Sequence, residues 1–325
     1  MANVKLTLAS GLYDRMLPLY TGDVKPEGID LTFERIDEPR VIFDRLSGEG
    51  AFDVAEFSSS EFIARHMLGD REFVALPVFP SRVFRHGLIT INKKSGVRVP
   101  KDLEGRRVGV PLYTMTAAIW IKGHFQHQFG CDISKISWVQ GAINGAGGHG
   151  HPTLMPLVKP VDITNKPDGV SLGDMLERGE IDAIIGTSLP DCIKTNPDIV
   201  RMFPNYKEIE KELWIKDRIW PIMHLIAIRR KVWEANPFIA QSLYTALTES
   251  KDMALASMKK LQALRYMLPW LPADLDEIEE LFDGDPWPHG VEANRPTLTA
   301  MVQYLHEQHL IERTVPVDEL FVDVK

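Results

Sequence analysis

Two cysteines in 325 residues, Cys131 and Cys192, are too few and too far apart for a disulfide framework or a thiolate zinc site. Basic residues are in the minority, 37 Lys and Arg against 45 Asp and Glu. The formal net charge of −8, with no basic stripe interleaved with aromatics, argues against a nucleic-acid partner. No apolar run approaches the ~20 residues needed to cross a bilayer, and the nearest, IWPIMHLIAI, is interrupted by His224. The N-terminal stretch MANVKLTLASGLYDR enters its first strand at once, with no basic segment followed by a long apolar run. These absences lead to the expectation of a cytoplasmic protein that makes no membrane contact and acts on a small molecule.

What is present is ordinary globular composition, 44% hydrophobic and 25% charged, in a chain long enough for two compact units. Residues 105–130, GRRVGVPLYTMTAAIWIKGHFQHQFG, read as strand, tight turn and helix. RVGV is a short β-branched run that Pro111 terminates, and Thr114 or Thr116 caps a helix that Gly130 stops. Unpaired N–H groups at such a start, two threonine hydroxyls and the adjacent Tyr113 suit a carboxylate or similar anion, although the threonines equally serve as plain caps.

The same strand-then-polar grammar recurs along the chain. The first strand delivers Tyr13, Asp14 and Arg15 at its C-terminal end, where open α/β sheets present ligand contacts. FDVAEFSSSEF delivers Glu56, Ser58, Ser59 and Ser60, of which at least one serine is expected to be an N-cap. In ALPVFPSRVFRHG, Arg82, Arg85 and His86 lie among core-like residues; arginine forks bind carboxylates at two points, so an anion site is favoured over a structural ion pair. His224 begins the apolar strand IWPIMHLIAIRR, whose Arg229 and Arg230 are expected to end in solvent. The Pro- and Trp-rich loop before the last helix carries Trp287, His289, Glu292 and Arg295, with Asn294 as the helix cap. His149 and His151, one residue apart in a glycine-rich stretch, lack an obvious third ligand. They read as part of a loop closing over the site, His124 and His127 read as a surface pair, and no metal is assigned.

Residues 92–100 form a polar, Gly- and Pro-containing connector, and the chain returns near residues 203–220. The organisation is therefore α/β with two lobes, 1–97 with 206–325 and 98–205, joined by two chain crossovers around an interlobe cleft. That organisation resembles the type II periplasmic-binding-protein architecture, which closes around a ligand between lobes. At residue level, FDVAEFSSSEF, PVFPSRVFRHG, GRRVGVPLYTMTAA, GEIDAIIG, WPIMHLIAIRR and DPWPHGVEANRPTL resemble the 4,5-dihydroxyphthalate decarboxylase family across nearly the whole chain. The resemblance implies a cytoplasmic homo-oligomeric enzyme that removes one carboxylate from a dihydroxylated aromatic diacid, giving protocatechuate and carbon dioxide. No cofactor is assigned. Such chemistry requires anion clamps, for which Arg82, Arg85 or Arg295 and the Thr114 and Thr116 helix start are candidates. It also requires a proton donor, His224 or His86, and a carboxylate, Glu292 or Glu56, to orient that histidine or accept a phenolic proton. A non-enzymatic solute-binding protein for a small carboxylate would use the same clamps without the donor.

Overall fold

The computed structural model describes residues 3–147, 156–262 and 264–325. Its strands, in chain order, are β1 (Val4–Ser10), β2 (Ile29–Arg35), β3 (Val54–Ser58), β4 (Phe73–Arg82), β5 (Thr90–Asn92), β6 (Arg107–Val110), β7 (Ser137–Gln140), β8 (Ile163–Asn165), β9 (Ala183–Ile184), β10 (Ile199–Arg201) and β11 (Ile222–Arg229). Among the described residues they form two mixed sheets, ordered β2-β1-β3-β11-β4 and β10-β5-β9-β6-β7-β8. Strand β1 runs parallel to β2 and β3, whereas β11, from the last third of the chain, inserts antiparallel between β3 and β4. Pro77 and Pro80 interrupt β4 where they can be tolerated, because β4 is an edge strand.

The chain passes between the sheets at residues 83–89 and 202–221, and the two crossings are stitched together by Val83 N–H to the Pro221 carbonyl (3.2 Å) and Met202 N–H to the Ile89 carbonyl (2.8 Å). Strand β5 falls inside the 1–97 segment assigned to the first lobe, yet it pairs in the second sheet with β9 and β10. Ile89 and Ile91 bury into the second lobe's core, which draws the chain across before the polar connector begins. Arg229 is likewise buried rather than solvated: its Nε donates to the Phe52 carbonyl (2.8 Å) and its Nη1 meets Glu72 at 3.3 Å.

Alternation along the first sheet separates two cores. Ala55, Phe57, Leu225 and Ala227 face one, while Val54, Ile226, Ile228, Leu6 and Leu8 face the other, under the helix Phe238–Met258. The helix Thr116–His127 is apolar on both sides. Ile119 and Trp120 enter the first lobe's core, and Ala118, Ile121 and Phe125 enter the second's. It lies close against the helix Arg295–Glu307, so close that a Cβ on Gly123 would stand 2.1 Å from Cδ2 of Tyr304. Trp120 Nε1 donates to the Ile222 carbonyl (2.8 Å) and Gln308 Nε2 to the Ile119 carbonyl (2.9 Å), tying the lobes at this helix. No described helix is long and apolar enough to cross a membrane.

Candidate active site

A cavity of about 410 Å³ opens between the sheets, with Tyr13, Ser58, His224 and Phe43 from the first lobe and Thr114, Thr116 and Thr187 from the second on its walls. Its chemistry begins with register. His224 of β11 pairs with Ser58 of β3 and Ile226 with Glu56, so His224 and Glu56 are diagonal neighbours on one face. Register irregularities against β4 flank His224 on both sides, and such bulges re-aim side chains. The outcome is a 2.5 Å contact between His224 Nδ1 and Glu56 Oε1. Since a carboxylate only accepts, Nδ1 carries the proton and Nε2 is left for the cavity.

Glu56 has no exposed surface. Its Oε1 also accepts from the Tyr13 hydroxyl (2.8 Å), and its Oε2 accepts from the Ser10 hydroxyl (2.8 Å) and the Gly11 N–H (3.2 Å). Burial by itself would raise the Glu56 pKa, but the His224 contact and the two hydroxyls outweigh it and hold the carboxyl below its ordinary range. Tyr13 is driven far upward by burial and by the charge of Glu56, so it remains an O–H donor. Phe43 packs edge-on against His224, with ring centroids 5.0 Å apart. The arrangement is an imidazole fixed in tautomer and direction by a carboxylate held in its charged form at neutral pH.

Arg85 enters the same cavity from the first crossing. It is 9% exposed, its Nε has no hydrogen-bond partner among the described residues, and its Nη1 reaches only the Thr187 carbonyl at 3.5 Å. Burial lowers its pKa to about 10, which leaves it a cation at neutral pH. A desolvated guanidinium with its fork open suits a carboxylate. Ser58 caps the helix Ser59–Met67, accepting from Glu61 N–H at 3.4 Å. The Thr116 hydroxyl lies 3.1 Å from Ser58 Oγ and 2.9 Å from Ser60 Oγ and accepts from Ser60 N–H (3.2 Å), while Ser60 Oγ donates to the Thr114 carbonyl (3.1 Å). The central helix begins at Thr116 rather than near Thr114; Met115 occupies its N-cap, where its side chain offers no capping oxygen, and the Thr116 hydroxyl bonds across to the opposite lobe.

Several candidates lie elsewhere. Tyr113 is a core residue of the second lobe, its ring 3.0 Å from Lys122 Nζ. Arg82 turns away from the cavity to the Pro- and Trp-rich loop, donating to the Pro288 carbonyl (3.1 Å) and to Asn294 Oδ1; burial lowers its pKa to about 9. His86 is buried at the crossings, bonded to Gln128 Oε1 (2.8 Å) and stacked on His124 at 4.9 Å, and it does not line this cavity. His124 is itself fully inside rather than on the surface. Glu292 and Arg295 form an exposed network with Asp318, because the short helical turn Glu292–Asn294 points them outward. Asp14 accepts from Arg15 (2.7 Å from its N–H), and the Arg15 guanidinium is sandwiched between Tyr13 (4.2 Å) and Trp287 (4.4 Å). His289, bonded to Thr248 at 3.1 Å, is pushed down to about 3, first by burial and then by Lys251, Arg82 and Arg15. His149 and His151 lie outside the described residues. Among those described, no group of three or more His, Cys, Asp and Glu is placed to hold a metal.

Sequence reasoning passed over Arg40, Phe43, Glu61 and Ser81, all of which line the cavity. Arg40 and Phe43 belong to a short helix, Pro39–Asp44, and nothing in their spacing indicates which of its faces meets the cavity. Glu61 stood in plain view after the serines, but its i to i+4 spacing to Arg65 reads as a surface ion pair.

No family model matches the chain. It is 31% identical to the 4,5-dihydroxyphthalate decarboxylase of Comamonas testosteroni, across 99% of this chain and 97% of the relative. It is 35% identical to the same-named protein of Pseudomonas putida over 59% of this chain and 74% of that one. Among solved structures it is similar to the periplasmic aliphatic sulphonate binding protein SsuA from Escherichia coli, at a TM-score of 0.51 and 12% identity over 99% and 97% of the two chains. A putative periplasmic sulfonate-binding SsuA from Methylobacillus flagellatus superposes with a TM-score of 0.52 at 13% identity, covering 99% and 92%. The solved structures fix the fold as that of two-lobed periplasmic binding proteins, and the full-length relative fixes the lineage: the chain belongs to the 4,5-dihydroxyphthalate decarboxylase family and is a carboxy-lyase.

Proposed function

We propose that the protein decarboxylates 4,5-dihydroxyphthalate to protocatechuate and carbon dioxide without a cofactor. The observation that carries this reading is the Glu56–His224 pair at 2.5 Å on the wall of a cavity that also holds the uncompensated Arg85. The Comamonas testosteroni relative, by its name, acts on this compound.

Arg85 holds a substrate carboxylate, and the imidazolium of His224 delivers its Nε2 proton to the ring carbon bearing the other one. A ring hydroxyl para to that carbon supplies the electron density. The bond to the carboxylate carbon then breaks, carbon dioxide departs, and the electron pair restores the aromatic ring. One proton is consumed per turnover and returns to His224 from solvent. Glu56 stabilises the imidazolium before transfer and Tyr13 fixes Glu56 in turn.

The test incubates chelator-treated protein with 4,5-dihydroxyphthalate and follows both products. Wild type releases them. His224→Ala turns over on the order of a hundred- to ten-thousand-fold more slowly, while binding changes only a few-fold. Tight binding with no product from wild type, even after metals are restored, would instead mark a solute-binding protein. The setting is proposed to be cytoplasmic and the working form a homo-oligomer. The exposed apolar residues Leu261, Leu264, Met267, Leu268 and Trp270 support association; a monomer by light scattering at micromolar concentration counts against it.

A further inference from the structure

The cavity holds a second unmet polar group, opposite in sense to Arg85. Glu61 is 7% exposed and lines the cavity, and its Oε1 has no hydrogen-bond partner among the described residues. Its cationic neighbours are committed to other carboxylates. Arg40 donates from Nε to Asp44 at 2.8 Å and stands 3.6 Å from Glu61. Arg65 bonds Asp70 at 2.7 Å and Glu72 at 3.1 Å and stands 3.8 Å from Glu61. Burial pushes the Glu61 carboxyl up, and the two arginines offset this only in part from distances that leave its lone pairs unsatisfied; a buried acceptor left unsatisfied demands a donor. Arg40 also lies over the Phe43 ring at 5.3 Å, and that ring abuts His224. The unsatisfied acceptor is therefore linked to the proton donor through two side chains, Arg40 and Phe43.

We infer that Glu61 accepts a hydrogen bond from a ring hydroxyl of the substrate, so that the cavity reads two groups at once, a carboxylate at Arg85 and a hydroxyl at Glu61. This rests on the proposed decarboxylase reading and adds to it the residue that distinguishes a hydroxylated aromatic diacid from the bare one. Neither Arg40 nor Arg65 can take this role, since both only donate.

Calorimetric titration of 4,5-dihydroxyphthalate and of phthalate, which lacks the hydroxyls, into wild type, Glu61→Gln and Glu61→Leu tests the inference. Wild type binds the hydroxylated diacid about tenfold or more tightly than phthalate. Glu61→Leu abolishes that preference, and Glu61→Gln, which keeps a neutral acceptor, reduces it, while phthalate affinity stays within a few-fold in both. A wild type without preference, or both variants retaining the wild-type ratio, overturns the assignment. Product release by wild type is measured in parallel. Preference lost in the variants without turnover in wild type keeps Glu61 as the hydroxyl reader and removes the decarboxylase reading; turnover with an unchanged ratio does the reverse.

Discussion

Glu56 is the residue on which the site's electrostatics turn, because four donors converge on its two oxygens where no water reaches. Its folded-state pKa is depressed, so the stability it contributes is present above the ordinary carboxylate value of about 4.3 and is lost as pH falls through the lower folded value. Melting temperature followed against pH is therefore expected to fall steeply for wild type on the acid side. Glu56→Gln should melt lower at pH 7 and respond less in that window; parallel curves would contradict the pair's role. The arginines give a sharper contrast. Arg85→Ala weakens substrate binding by roughly ten- to a hundredfold, as loss of charge-assisted hydrogen bonds does, whereas Arg295→Ala leaves both turnover and affinity unchanged in the same assays. Both arginines looked equally apt in the sequence. Arg82 and Arg85, three residues apart, go to a loop and a cavity respectively because the strand ends between them at Arg82, and spacing alone does not reveal that turn. Glu56 and His224 were each conspicuous as polar residues among apolar ones, but their partnership spans 168 positions and depends on strand register.

The helix Thr116–His127 shows at the element scale why part of the fold was legible and part was not. Its apolar run and its stop at Gly130 are local signals; its position between two cores is not, since a stripe on each side looks the same as one wide stripe. Gly123 marks its closest approach to another helix. In an exposed helix Gly→Ala would stabilise by about 1 kcal/mol, but here the methyl meets Tyr304, and overpacking of ~1–3 kcal/mol wins. Gly123→Ala is accordingly expected to lower the melting temperature, and an unchanged or raised value would show that the two helices can part without cost.

On the scale of the whole molecule, the lobes are held over the cavity by hydroxyl contacts of Ser58 and Ser60 with Thr116. Thr116→Val removes the hydroxyl at nearly constant volume. Each lost hydrogen bond costs about 1 kcal/mol, so substrate affinity should weaken several-fold to tenfold, and solution scattering without substrate should report a larger radius of gyration than for wild type. An unchanged radius would place lobe closure elsewhere. The alternating strands and helices announced two lobes, and the paired crossings follow from them. The insertion of β11 between β3 and β4 has no local signature, because two strands adjacent in sequence are separated by one made about 140 residues later. That insertion also sets an order of events at the ribosome. Every strand of the second sheet is complete by Arg201, while the first sheet stays split until Ile222–Arg229 emerges. A nascent chain halted before that point exposes the facing edges of β3 and β4 and has no His224, so the enzyme can neither finish its larger core nor acquire its proton donor until the same eight-residue strand is delivered.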